Sequence, residues 1–419
     1  MDRQNAVAVI GAGVIGAALA ARLAAEGTQV LLLDRADPGT GGASFGNAGH
    51  IASEHVEPLP SRALLRSFWR DLYPLGGVLD IPFRRTLAIL PWARRFAAAA
   101  ARQAENTLHL APLVSAAVED WERLLGSVGR SELLHKGGHY EVWFGRTAHT
   151  RAAARAQAME RGGVATQPAP PEWLRMSVNS LHRAGARAPL DAAALWFPLT
   201  AHVLDPLEVV QALVSHAVQA GAELARIEVR AVQPNASGVG LHTAAGILNV
   251  RAAIVCAGAW SAPLLEPLGL SAPLEPVRGY HVELPDHAPV CDATIVYSDD
   301  HVVVTPMRGR LRATSFMDFA GLDAPLDARK PARLHASLAR LGYRCDRLTA
   351  AWAGPRPVLP DYLPGIGRLE RSSVFYAIGH QHIGLTLAAG TAELVAALVA
   401  GRTPRQDVSA FDLRRFAVR

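Results

Sequence analysis

The sequence predicts an α/β fold, in which a Rossmann-like dinucleotide-binding unit is joined to an α+β part with an antiparallel sheet. Two observations carry this reading. Val7 to Arg35 reads as strand, glycine turn, helix, second strand and acid, all within the roughly 30 residues such a unit needs. Far along the chain, Val277 to Leu284, Val302 to Thr305 and Arg310 to Phe316 alternate as antiparallel strands with one wet face do.

Each piece of the first unit has a physical reason. Val7 to Ile10 is an apolar run of the kind a buried parallel strand shows. Gly11, Gly13 and Gly16 then spell G-x-G-x-x-G. The first permits a tight turn, the second lets backbone approach a pyrophosphate, and the third lets the helix pack on the strand. Val14 to Glu26 is good helix material without proline, and Gly27 is placed to end it. The helix begins with unpaired N–H groups and a positive dipole end, which suits a diphosphate. Val30 to Leu33 is the second strand, and Asp34 closes it 18 residues after Gly16, placed to accept from ribose hydroxyls. The competing reading is a βαβ unit that merely folds, and the motif alone does not separate NAD from FAD.

The 419 residues suffice for two domains. Of the 42 basic residues all but Lys136 and Lys330 are arginine, and the net charge is +5. The charge is spread out, with no basic run of the kind that marks a nucleic-acid tail, so it suits anionic ligands or an acidic membrane surface instead. Cys256, Cys291 and Cys345 form no C-x-x-C pair, so neither a disulfide framework nor a cysteine zinc site is expected, and no metal site is assigned. The first strand begins at once, which leaves no room for a signal peptide, and a cytoplasmic location is expected.

Along the chain, Arg62 to Glu122 is largely helical in composition. Within it, Arg84 to Arg102 mixes arginines with large apolar residues and could lie on a membrane surface. Packing on the main domain is preferred, because Pro91 interrupts the amphipathic face. Gly137 to Phe144 reads as a strand, Arg146 to Arg161 as a helix, and Pro168 to Pro198 as an irregular connection. Leu207 to Ala220 is a helix, with Val229 in a following strand and a hairpin over His242 to Val255. Leu326 to Leu341 is a helix and Ser373 to Ile378 a strand. Ile383 to Ala400 is apolar enough for a membrane span, yet it carries Glu393, so a buried helix is expected.

Four later elements resemble one family. Ser44-Phe45-Gly46-Asn47-Ala48-Gly49 resembles the S-x-x-N-A-G element of bacterial FAD-dependent D-amino acid dehydrogenases, within the D-amino acid oxidase, glycine oxidase and sarcosine oxidase superfamily. Ala257 to Trp260, the G-x-R-P-x-x-P-D-like stretch Ala353 to Asp361, and Gly379 to Thr386 follow in the family's order. The spelling of Ser44 to His50 and of Gly379 to Thr386 resembles the D-proline and cis-4-hydroxy-D-proline dehydrogenase branch more than the D-alanine branch. The resemblance implies FAD, held non-covalently because no cysteine lies near the last turn. It implies a discontinuous FAD-binding domain over 1–60, 200–270 and 350–419, with a substrate or cap domain over 61–199 and 271–349. The family's acid after the second strand is often glutamate, and Asp34 is given the same role.

The cofactor contacts implied are Gly11, Gly13, Val14, Ile15, Gly16, Asp34 and Arg35 in the first unit, then Ser44, Asn47, Ala48 and Gly49. Val229, Ala257 and Gly258 follow, and Gly379, His380, His382, Ile383, Gly384, Leu385 and Thr386 complete the set. The chemistry implied is oxidation of a D-amino acid to the imino acid by hydride transfer to flavin N5, most simply of a cyclic substrate. Electrons would pass to a quinone or another acceptor. Rival readings are a glycine- or sarcosine-type oxidase using oxygen, and a flavin-binding subunit that needs a partner. Arg356 is the candidate for the substrate carboxylate, since arginine pairs bidentately with it; the alternative is an arginine tied to backbone carbonyls. Tyr280 is placed to add a second hydrogen bond, or is an ordinary sheet tyrosine. His50 and His382 are candidates for taking the amine proton, or are structural histidines. Peripheral contact with the inner face of the cell membrane is a further expectation.

Overall fold

The computed structural model describes residues 3–174, 191–285, 289–343 and 351–417. Alternate residues of the first sheet feed two cores, as strand geometry requires. Val7, Val9, Val30, Leu32 and Ile254 face helices Val14–Ala25, Pro206–Gln219 and Gly384–Val399. Ala8, Ile10, Leu31, Leu33 and Val255 face a three-stranded sheet that supplies Val232, Val239, Leu241 and Val250. A strand buried on both sides must be apolar at every position, which is why Val7–Ile10 reads as a continuous run. The sheet runs Glu223–Arg226, Val30–Asp34, Val7–Ile10, Ala252–Val255, Val374–Ile378, Gly365–Arg368. The first five strands are parallel and the last is antiparallel.

The second large sheet has nine strands. Its order is Trp352–Val358, Glu275–Pro285, Arg310–Asp318, Val302–Met307, Thr294–Tyr297, His139–Phe144, Ala192–Phe197 and Gln167–Pro168, with Leu79–Asp80 beside Arg310–Asp318. Four expectations change here. Ala192–Phe197 is a strand paired with His139–Phe144, so the expected irregular connection ends earlier; residues 175–190 lie outside the described ones. Trp352–Val358 is an edge strand of this sheet and not part of the dinucleotide-binding sheet. The central strands are buried on both faces, because the Arg329–Arg340 helix packs Leu334 and Leu338 on one side and the loop around Gly46 covers the other. Val229 also lies between strands, after Glu223–Arg226 and before Ala231–Asn235.

A small sheet of His50–Ile51, Ala201–Val203 and Leu134–His135 stitches the two parts together. Gly384–Val399 is a buried helix, and among the described residues no helix is long and apolar enough to cross a membrane. Pro91 sits inside helix Thr86–Ala99 without ending it. Ile89, Trp92 and Phe96 pack inward, whereas Phe83 and Leu87 are 95% and 84% exposed.

Candidate active site

The glycine turn is set by contacts that tolerate no side chain. Gly11 has φ +109°, and a Cβ there would lie 2.4 Å from the Cys256 carbonyl oxygen. A Cβ on Gly16 would lie 1.8 Å from the Gly11 carbonyl oxygen, so Gly16 supports the turn from below. The Asp34 carboxylate accepts from the Ala12 N–H at 2.6 Å and the Ala36 N–H at 2.9 Å, and the Ser44 hydroxyl accepts from the Val14 N–H at 3.0 Å. The Arg35 guanidinium stacks 4.2 Å above the Trp260 ring.

These groups line one end of a cavity of about 430 Å³. Gly11, Gly13, Val14, Ile15, Asp34, Arg35 and Ser44 all line it, with Asn47, Ala48, Val229, Ala257 and Gly258 along its length. Gly379, His380, His382, Gly384 and Leu385 form the far wall, next to Tyr280 and Arg356. Residues separated by more than 370 positions in sequence therefore meet around one space.

Five expected residues do not line it. Gly16 lies under the turn, and Ile383 is in the main core. Gly49, at φ +76°, gives its N–H to Asn47 Oδ1 at 2.8 Å. The Thr386 hydroxyl accepts from the Ala52 N–H at 2.9 Å. The His50 ring turns away, with Nε2 3.1 Å from Glu54 Oε1, which corrects its expected place beside the amine.

At the far end, Arg356 is half-buried on the Trp352–Val358 strand. Nη1 donates to the Phe316 carbonyl at 2.9 Å, and no carboxylate pairs with the guanidinium among the described residues. Gly279 makes room for it: a Cβ there would lie 2.1 Å from Arg356 Nη2. Trp352 shares that strand face two pleats away, and its ring occupies the space that side chains on Gly46 and Gly354 would need. The Tyr280 hydroxyl donates to Asp318 Oδ2 at 2.7 Å, so its proton is already engaged, which corrects its expected donation to a substrate. Burial and Asp318 push the phenol up to about 12. Lys330 holds Asp318 in turn at 3.1 Å and also meets Asp80 at 2.7 Å.

Burial disfavours charge on the imidazoles at this wall. Burial lowers His380 to about 3, and its Nε2 lies 3.1 Å from the Thr391 hydroxyl. Burial, with His55 and Arg356 nearby, holds His382 well below the ordinary range. Gln381 lines the cavity at φ +51°, and both its carboxamide atoms are buried without a partner among the described residues. Such an orphaned amide costs free energy unless a ligand pairs with it. The open glycine turn, the acid at its edge and the orphaned amide together fit a dinucleotide with a hydrogen-bonding ring.

The cavity and the parallel sheet are those of a dinucleotide-dependent oxidoreductase whose cofactor cradle opens onto the Arg356 guanidinium. The chain matches the FAD dependent oxidoreductase family over residues 6–398 and belongs to it, and FAD is its cofactor. A curated relative from Bradyrhizobium diazoefficiens, a D-amino-acid oxidase, is 30% identical over 99% of this chain and all of its own length. A D-amino acid dehydrogenase of Cereibacter sphaeroides is 28% identical over 98% of this chain and 95% of its own. Among solved structures, glycine oxidase from Geobacillus kaustophilus aligns with a TM-score of 0.75 at 25% identity, covering 99% of each chain.

Sequence reasoning missed Trp352, Gln381, Asp318 and the buried group around Glu54. Trp352 stands next to the quoted G-x-R-P stretch, and Gln381 lies inside the last glycine-bounded turn, so both carried a positional signal. Asp318 had none, because only the tertiary fold brings its partners near; around Glu54 the sequence places His50 and His55 close by, and only His139 is brought in by the fold.

Proposed function

We propose that this enzyme oxidises a D-amino acid to the imino acid, with Arg356 binding the substrate carboxylate. The observation that carries the reading is a half-buried guanidinium at the cavity wall with no acidic partner among the described residues. Arginine so placed is costly to bury alone and is stabilised by an incoming carboxylate. FAD, when bound, supplies the hydride acceptor. The protein's own groups do the rest. The Gly11–Val14 turn and the Gly384 helix start hold the ends of the cofactor, and Asp34 receives the ribose. Desolvation of the ammonium favours the neutral amine, so no dedicated base is required, and His382, whose Nε2 lies 3.0 Å from His55 Nδ1, lines the cavity beside it. Trp352 gives the substrate a flat apolar wall beside the anchor, which favours a compact ring such as D-proline or cis-4-hydroxy-D-proline.

The acceptor is proposed to be a quinone or another carrier, reached at a membrane surface through the exposed Phe83 and Leu87 beside Arg84. The 30% identical relative named as an oxidase supports oxygen as the second reading. Peroxide released in step with turnover decides for oxygen, and dye reduction by the single chain decides against a required partner. Anaerobic addition of D-proline, cis-4-hydroxy-D-proline, D-alanine, sarcosine and L-proline in turn tests the substrate. Bleaching of the flavin by a D-imino acid is expected.

A further inference from the structure

Beside the cavity lies a cluster that the oxidation does not use. His50, Glu54 and His55 follow the Asn47–Gly49 turn, and His139 opens the strand His139–Phe144 of the second sheet. Glu54 Oε1 lies 3.1 Å from His50 Nε2, 3.4 Å from His55 Nε2 and 4.0 Å from His139 Nε2. The donor atoms of His50, Glu54 and His139 all lie within 4.8 Å of one another.

We propose that Glu54, His50 and His139 bind a divalent cation of the zinc class, with His55 as the fourth donor. Nothing in this depends on the substrate or acceptor proposed above, and it revises the expectation that the chain has no metal site.

Three observations carry it. The first is spacing. Zinc holds nitrogen and oxygen donors at about 2.0–2.2 Å in a tetrahedron, which sets the donors roughly 3.3 Å apart. The His50 and His55 contacts to Glu54 Oε1, at 3.1 and 3.4 Å, stand at that spacing, and His139, at 4.0 Å, has about 0.7 Å to close.

The second is the tautomer of His139. The Thr200 hydroxyl lies 3.1 Å from the Phe197 carbonyl, which can only accept its proton, and 2.9 Å from His139 Nδ1. With that proton on the carbonyl, His139 Nδ1 donates to the hydroxyl and its bare Nε2 lone pair faces a carboxylate oxygen 4.0 Å away. Two acceptors facing each other in a dry site call for a cation between them. A histidine whose far nitrogen is tied by a hydrogen bond is also how proteins prepare an imidazole for a metal.

The third is unmet charge. Glu54 is 3% exposed, and its Oε2 is buried without a partner among the described residues. Its ion-pair contacts among the described residues are imidazoles alone, with no arginine or lysine. A buried carboxylate without a cation is strongly disfavoured. Imidazole nitrogen with one carboxylate is a borderline donor set, which selects zinc and its neighbours over magnesium or calcium.

With four protein donors the site is closed and its role is structural. It would clamp the segment after the Asn47–Gly49 turn onto the second sheet. His55 Nδ1 lies 3.0 Å from Nε2 of His382 at the cavity wall, so the clamp also sets where that ring stands.

The test is direct. The holoenzyme is treated with a chelator, dialysed against a slight excess of Zn²⁺, then against metal-free buffer, and its zinc is measured by mass spectrometry beside its flavin. The expected result is about one zinc per chain, with a raised thermal midpoint. Glu54→Gln and His139→Gln abolish retention. Thr200→Val, which leaves all four donors in place, weakens it roughly 10- to 100-fold by freeing the tautomer. Wild-type protein that retains no zinc after this treatment overturns the proposal whether or not any variant folds. Equal retention by wild type and a folded, flavin-loaded Glu54→Gln variant overturns it as well, since the metal would then sit elsewhere.

Discussion

At the scale of single residues, the account turns on Arg356. Its guanidinium spends one donor on the Phe316 carbonyl and keeps the rest for a ligand. Replacing it with alanine removes a charge-assisted pair worth about 2–3 kcal/mol, so kcat/KM should fall roughly 30- to 150-fold. Flavin content should stay unchanged; a loss of flavin with no change in turnover per flavin would reassign Arg356 to holding the cofactor. Gly279→Ala is a second probe of the same contact. Its Cβ would lie 2.1 Å from Arg356 Nη2 and must displace the guanidinium. A raised KM is expected, with little further loss when it is combined with Arg356→Ala. Additive losses in the double variant would separate the two positions. Arg356 was legible in the sequence because its motif places it. Tyr280 was misread because its partner Asp318 lies 38 residues away on the neighbouring strand.

At the scale of elements, the first βαβ unit was almost wholly legible. Its strands are buried on both faces, and Gly11 and Gly16 stand where a Cβ would meet backbone. The second sheet was less so. Its strands sit between the Arg329–Arg340 helix and the loop around Gly46, so polar residues in them are paired inside and do not mark a wet face. Lys330 is the clearest case. It is buried on that helix, and its ammonium meets Asp80, Asp318 and Asp327 at 2.7, 3.1 and 3.0 Å. Lys330→Met leaves Asp318 buried without its cation, at a cost of about 3–5 kcal/mol. Urea denaturation should show a lower midpoint, and because Asp318 holds Tyr280, turnover should fall even where the variant is folded. A midpoint within experimental error of wild type would show that the aspartates are balanced by other groups.

At the scale of the whole molecule, the two sheets are tied by ions across their seam. Arg310 reaches Asp205 at 2.6 Å and Glu283 at 2.8 Å. Asp205 also caps helix Pro206–Gln219. Arg312 joins Glu283 to the carbonyls of Phe45 and Asn47 in the cofactor loop. These arginines hold Glu283 and Asp205 below the ordinary carboxylate range although burial opposes it. Both acids then bind fewer protons folded than unfolded, so their stabilisation is present above about pH 4 and is lost as pH falls through their lowered values. Thermal midpoints measured from pH 7 down to pH 3 should drop below about pH 4, and Glu283→Gln should flatten that drop. An unchanged slope in the variant would place the acid sensitivity elsewhere. This seam was not legible, because Arg310, Glu283 and Asp205 come from separate segments with no motif to link them. The central claim is that the cavity carries FAD at one end and an amino acid carboxylate on Arg356 at the other. Its most direct test is anaerobic titration of the flavin with D-proline in wild type and Arg356→Ala. The account predicts rapid bleaching in the wild type and bleaching slowed roughly 30-fold or more in the variant. Equal bleaching rates in the two proteins, or a wild-type flavin that no D-amino acid reduces, would contradict it.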